Sequence, residues 1–203
     1  MTTTPPGPGA LGALERDALE CTRCPLAATR TQVVFGAGNP NADLMFVGEA
    51  PGFHEDLQGV PFVGASGNLL TRLIEEIELS RDRVYIANVV KCRPPDNRDP
   101  ERAEIESCRP WLEGQLEYIM PRVVVTLGNF ATKLLLDTKE GITRVRGKEY
   151  PWKGGSVLVP TYHPAAVLRG RGDALAQMRA DFVLVKRALR RLQTDPSSEV
   201  AVV

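Results

Sequence analysis

DLMFVGEAPG, residues Asp43 to Gly52, is an apolar run that opens into a glycine loop. Leu44 to Val47 show no polar alternation, the pattern of a strand covered on both faces, which is typical of parallel sheets. The loop is dense in chemistry. From Gly48 to Gly64 it reads GEAPGFHEDLQGVPFVG, with four glycines, two prolines, three carboxylates, a histidine and two phenylalanines. Such a segment is a candidate site rather than a bare turn.

The same alternation continues outward from this run. Ser66 is placed to cap a helix whose Leu69, Leu70, Leu73, Ile74 and Ile77 recur on one side. Val84 to Val90 predicts a second strand, and Asp99-Pro100 a helix start, with Pro110 kinking or restarting that helix. Val123 to Leu127 predicts a third strand, followed by a helix from about Phe130. Val157 to Thr161 predicts a fourth, and Asp173 to Leu192 a closing helix. Strand–helix alternation implies an α/β fold, a parallel sheet with helices on both faces. Ligands of such sheets bind beyond the carboxyl ends of the strands. GEAPG, Asn88, Leu127-Gly128-Asn129 and His163 to Gly170 (HPAAVLRG) all fall there, so four loops are expected to converge on one pocket.

Composition sets the outer limits. The chain has 203 residues, 43% hydrophobic and 25% charged, which suits one soluble domain with a substantial core. No apolar run approaches the ~18 residues of a membrane span and no signal peptide opens the chain, so a cytoplasmic protein without membrane association is expected. The formal net charge is zero, yet Ile142 to Leu192 holds eleven Lys and Arg against Glu149, Asp173 and Asp181. That segment carries +8 and the remainder −8. Either a polyanion-binding face or a solvated amphipathic helix accounts for it, since Lys186, Arg187, Arg190 and Arg191 crowd the last helix. The ends, 1–9 and 194–203, have the composition of flexible tails.

Four cysteines complete the inventory. Cys21 and Cys24 form a C-x2-C pair, and Cys92 and Cys108 follow, separated by fifteen residues. In a cytoplasmic protein they favour a metal centre over disulfides. Structural zinc and an iron–sulfur cluster are both compatible with four thiolates, and buried free thiols are the remaining reading.

GEAPG, the HED and PFVG after it, NVVKCRPP and HPAAVLR, in this order and with the four cysteines, resemble the family 4 uracil-DNA glycosylases. The resemblance runs from about Cys21 to Leu192. It implies a three-layer α/β/α sandwich around a central, mainly parallel four-stranded sheet, formed by a single domain over 10–193. It implies hydrolysis of the N-glycosidic bond of uracil in DNA, single- or double-stranded, as base excision repair, by a monomer of the bacterial or archaeal cytoplasm. It also implies a 4Fe–4S cluster held by Cys21, Cys24, Cys92 and Cys108.

Roles follow from this resemblance and from the chemistry of a flipped base, which must leave the duplex to be reached. Gly48 and Gly52 let backbone approach base and sugar, and amides near Glu49 and Ala50 can meet a uracil carbonyl. Phe62 is expected to stack on uracil, worth roughly 1–3 kcal/mol without selecting the base. Selection falls to Asn88, whose amide accepts from N3–H while donating to O4, a pattern that cytosine reverses. Glu55 is the candidate for excluding the methyl of thymine. His163 is expected to donate to the departing uracil at O2, a contact worth about 3–4 kcal/mol in a dry site. Position Ala50 holds a carboxylate in better-known relatives, so Glu49 is the candidate for activating water or stabilising the cationic sugar. Leu168 is expected to wedge into the duplex, with Arg169, Arg171 and the basic closing helix on phosphates.

Three other readings compete. A covalently trapped relative uses a histidine in an inserted basic loop before the third cysteine-like segment, and none occurs between Asn88 and Cys108. Broader action on deaminated bases such as hypoxanthine or xanthine is the second. A non-catalytic iron–sulfur module for damage binding or electron transfer is the third.

Overall fold

A computed structural model describes residues 8–170 and 172–194. The expected tails at 1–9 and 194–203 thus lie mostly outside the described residues. Pro8 and Gly9 already belong to the first helix, and Thr194 closes the last.

In chain order the main elements are α1 (Pro8–Leu19), β1 (Ala37–Gly38), β2 (Leu44–Gly48), α2 (Phe53–Gln58), α3 (Ala65–Glu76), β3 (Tyr85–Asn88) and α4 (Arg102–Ile119). Then follow β4 (Val123–Leu127), α5 (Asn129–Leu136), α6 (Ile142–Val145), β5 (Tyr150–Pro151), β6 (Val157–Thr161), α7 (Pro164–Leu168) and α8 (Ala174–Thr194). The sheet order is β1-β3-β2-β4-β6-β5. The four inner strands run parallel and are the four expected ones. Expectation and structure differ at the edges, where the two-residue strands β1 and β5 pair antiparallel and make the sheet six-stranded. Two residues are too few to leave an alternation that sequence can reveal.

The apolar run of β2 is unbroken because both of its faces are covered. Leu44 and Phe46 join α3 and α8 in one core, whereas Met45 and Val47 join α1 and α4 in the other. Phe46 stacks on Phe182 of α8, ring centroids 5.6 Å apart. Among the described residues no helix is long and apolar enough to cross a membrane.

Three local expectations change. The N-cap of α3 is Gly64 rather than Ser66, because the Gly64 amide is already held by Glu55. The capping box of α4 is Glu101 with Glu104, so the helix begins at Arg102, two residues beyond Pro100. Nor does Pro110 restart α4, which runs on to Ile119. Pro110 lies on an exposed face, where the Glu106 carbonyl deprived of its donor can turn to water.

The basic segment is the amphipathic surface helix, not a free cationic face. On α8, Arg179 pairs with Glu76, Lys186 and Arg190 with Glu78, and Arg191 with Glu149. Arg144 and Arg146 pair with Glu140 and Asp181, so much of the charge asymmetry along the sequence is neutralised within the fold.

Phe46→Ala should cost about 3–5 kcal/mol through the cavity left between the central strand and α8. Chemical denaturation checks this value, and a loss within the noise would place the core elsewhere.

Candidate active site

The carboxyl ends of β2, β3 and β6 meet around one cavity of about 520 Å3. The chain leaves β2 toward the α3 face and β3 toward the α4 face, which opens a crevice between the two strand ends. Glu49, Ala50, Gly52, Glu55, Phe62, Asn88, His163 and Arg169 all line it. The fourth expected loop does not line it but stands behind it. Gly128, at φ +89°, donates its amide to Thr161, and a Cβ there would come within 3.0 Å of the His163 Cβ. Leu127-Gly128-Asn129 therefore buttresses the histidine.

Gly48 and Asn88 are register partners in the parallel pair β2–β3. A Cβ on Gly48 would stand 2.4 Å from Asn88 Oδ1 and 2.6 Å from the Phe62 ring. The missing side chain is what lets amide and ring share the floor of the cavity. Asn88 is 1% exposed, and its Oδ1 is a buried acceptor with no hydrogen-bond partner. Such orphans are rare in native proteins, and one aimed into a cavity is a ligand position.

Phe62 is buried with φ +54°, in the left-handed region, where a non-glycine residue stores about 1–3 kcal/mol. Its strained peptide is pinned by Arg81, which donates to the Phe62 carbonyl (3.1 Å), the Pro61 carbonyl (2.8 Å) and Thr71. Sequence inspection missed Arg81. It lies nineteen residues on in a short 3-10 turn, and only the folded chain brings it back.

Glu55 serves the site differently from the steric role expected of it. One carboxylate oxygen accepts from the amides of Val63 and Gly64, and the other from Gly52. It ties both ends of the loop together and sets where Phe62 stands.

Two of the ionisable groups lining the cavity are shifted in opposite directions. Burial, with Asp99 nearby, raises Glu49 to about 7 against the opposing pull of Arg169. Glu104 fixes the loop that carries Asp99, taking Arg98 and the Glu101 amide on its carboxylate. Burial lowers His163 to about 4, with Arg169 adding to the effect. His163 is therefore neutral, and its Nδ1 accepts from the Ala165 amide at 3.2 Å. The accepting nitrogen carries no proton, so Nε2 does, and the ring is a donor. Its ring centroid lies 5.6 Å from that of Phe62. Behind it, Thr161 donates to the buried Asp181 at 2.6 Å and so fixes the end of β6.

On the rim, Leu168 is 49% exposed at the end of α7, with Arg169 following it. Arg171 lies outside the described residues. His54, assigned no role from sequence, edges onto Phe53 at the cavity mouth.

The four cysteines, from three separate segments, line one small void with Arg23, Arg30, Lys91 and Trp111. Arg30 donates to the Cys92 sulfur at 3.4 Å, and the Lys91 amide to the Cys108 sulfur at 3.2 Å. Arg23, Arg30 and Lys91 are the cations around the four thiols, and burial raises Cys92 despite the contact with Arg30. Trp111 has a buried indole N–H with no acceptor, as a neighbouring sulfur would supply. Burial raises Cys108 to about 11, so a cation must displace its proton for it to ligate. Among the described residues no three His, Cys, Asp or Glu side chains meet at single-ion distance.

The cavity thus brings a neutral histidine donor and a buried acceptor without a partner together at the carboxyl ends of the parallel strands. Residues 35–190 match the family model described as the uracil DNA glycosylase superfamily, and the chain belongs to it. It is 51% identical over 166 residues to a type-4 uracil-DNA glycosylase of Sulfurisphaera tokodaii, covering 78% of this chain and 76% of that protein. It is 49% identical over 178 residues to the type-4 enzyme of Saccharolobus solfataricus, covering 84% and 82%. The type-4 enzyme of Archaeoglobus fulgidus is 47% identical over 179 residues, 85% and 89%.

Gly48→Ala should abolish measurable uracil excision, leave DNA retention close to wild type and cost about 1–3 kcal/mol of stability, because the buried amide or ring must shift. The atoms nearest the added methyl belong to Asn88 and Phe62. A variant that excises uracil at the normal rate would remove these two residues from the base site.

Proposed function

We propose that the protein flips uracil out of DNA and hydrolyses its N-glycosidic bond, releasing free uracil and leaving an abasic site in base excision repair. The observation that carries this reading is the orphaned Oδ1 of Asn88 beside the Phe62 ring. Uracil N3–H supplies the missing donor. Cytosine presents an acceptor at N3, and the two acceptors would face each other unpaired, at a cost of about 1–3 kcal/mol.

Phe62 stacks on the base, and the loop that Glu55 braces, rather than its carboxylate, excludes a 5-methyl group. Cleavage leaves negative charge on uracil O2, and the Nε2–H of His163 lies ready to take it. No proton needs to be gained beforehand, because the ring is already neutral. Glu49, ionised, stabilises the cationic sugar and orients the attacking water. Leu168 fills the space vacated by the base and Arg169 takes a phosphate, with Arg171 as a further contact.

The reading includes a 4Fe–4S cluster on Cys21, Cys24, Cys92 and Cys108. The convergent thiols, the cationic shell and the unpartnered Trp111 N–H support it. When bound, it supplies a rigid crosslink between the segment after α1 and the β3–α4 connection, not a bond-making step. The protein is read as a cytoplasmic monomer acting on single- or double-stranded DNA.

The pH profile separates the ionisable groups. With Glu49 near 7 and working as the carboxylate, single-turnover excision should rise with pH, reach half its plateau near 7 and level off above it. Glu49→Gln should be slower and flat across that range. His163, near 4, adds no inflection between 5 and 9. A rate that falls as pH rises through 7 would give Glu49 the opposite role.

His163→Ala should slow release of free uracil by a factor of about 100 to 1,000 with duplex affinity intact, as for loss of one preorganised donor. Arg169→Ala should weaken binding and lower the salt slope by about one, the signature of one phosphate contact. Saturating DNA should restore the Arg169 variant and not the His163 variant. If no free uracil leaves a uracil-containing oligonucleotide with the wild-type protein, the glycosylase reading fails.

A further inference from the structure

Lys91 is the charged residue the reaction does not use. It is 1% exposed, within the apolar run that leads from β3 to Cys92. Its ammonium donates to the backbone carbonyl of Asn88 at 2.8 Å and to Gln115 Oε1 on α4 at 2.5 Å. Both acceptors are neutral. Gln115 in turn donates to the Phe35 carbonyl and to the Tyr85 hydroxyl, which fixes its orientation. Among the described residues no carboxylate pairs with Lys91, which lines one void with the four cysteines. The same residue's amide donates to the Cys108 sulfur.

The geometry at the end of β3 shows what this contact does. β1 pairs with β3 only as far as Ile86, so it does not reach Asn88. On the other edge the Val89 and Val90 amides donate to the Gly48 and Glu49 carbonyls. The Asn88 carbonyl takes its donor from Lys91, and that bond sets the peptide from which the uracil-reading amide projects.

We propose that Lys91 is a positioning residue that ties the uracil-reading end of β3 to the cysteine centre, with the thiolates as its counter-charge. A buried cation without a carboxylate partner is stable only beside another source of negative charge, and here that source is the sulfur set. The tie works in both directions. Thiolates hold the ammonium, the ammonium holds Asn88, and loss of either end loosens the other. The proposal rests on reading the four cysteines as a metal centre.

The test uses the intact protein and Lys91→Met, which keeps length and apolar packing but removes the charge. Metal content of the wild type is measured first. Iron release to a chelator and the ratio of excision rates for uracil against cytosine are then compared. Lys91→Met should release iron about tenfold faster or more and lose about tenfold or more of its base discrimination, as substitutions behind metal ligands do. Gln115→Leu should move both readouts the same way by less. A fall in thermal stability alone, with both readouts unchanged, would make Lys91 a packing residue and overturn the proposal. Faster iron release with unchanged discrimination would overturn the tie to Asn88. A wild type without metal would instead defeat the reading of the cysteine centre, and the proposal with it.

Discussion

The site depends on one close approach, that of Gly48 to Asn88 across the parallel pair β2–β3. Backbone pairing brings the two residues level, and the absence of a side chain at Gly48 leaves room for an amide and an aromatic ring on one floor. Both parallel neighbours of β2 are covered by helices, so the strand end cannot relax toward solvent. The shape of the cavity floor is a consequence of sheet register as much as of residue type.

Around that floor, the supporting contacts come from polar groups that spend their hydrogen bonds on backbone. Glu55 ties Gly52 to Val63 and Gly64, Arg81 pins Pro61 and Phe62, and Lys91 holds the Asn88 carbonyl. Each fixes a peptide rather than a substrate. This division suits a pocket that must discriminate bases by hydrogen-bond direction, since a floor free to tilt would accept either pattern. Burial does the electrostatic work in the same volume. It disfavours charge on both Glu49 and His163, raising the acid and lowering the base, so the two stand poised for different tasks.

Much of this was legible along the chain. Unbroken apolar runs marked the four inner strands because both faces of the sheet are covered. The glycine loop and the His-Pro after β6 marked the strand ends where ligands bind. The cysteine spacing marked four thiols that the fold gathers around one void. The supporting groups were not legible in this way. Arg81 carries no local signal, and nothing next to Lys91 in the chain shows which carbonyl it will meet. Their roles depend on where distant carbonyls end up. Glu55 was singled out in this loop but its bonds were not legible, because sequence shows a carboxylate but not which amides will reach it.

Periodicity and composition by themselves determined the α/β class, the parallel core and the loops that bear the chemistry, since those follow from which residues must leave water. The tertiary structure alone decided that the cations of α8 are paired with Glu76, Glu78 and Glu149. It alone made His163 a neutral donor and left Asn88 Oδ1 without a partner. Charge pairing, burial and hydrogen-bond satisfaction are properties of neighbours in space, and the neighbours here lie tens of residues apart.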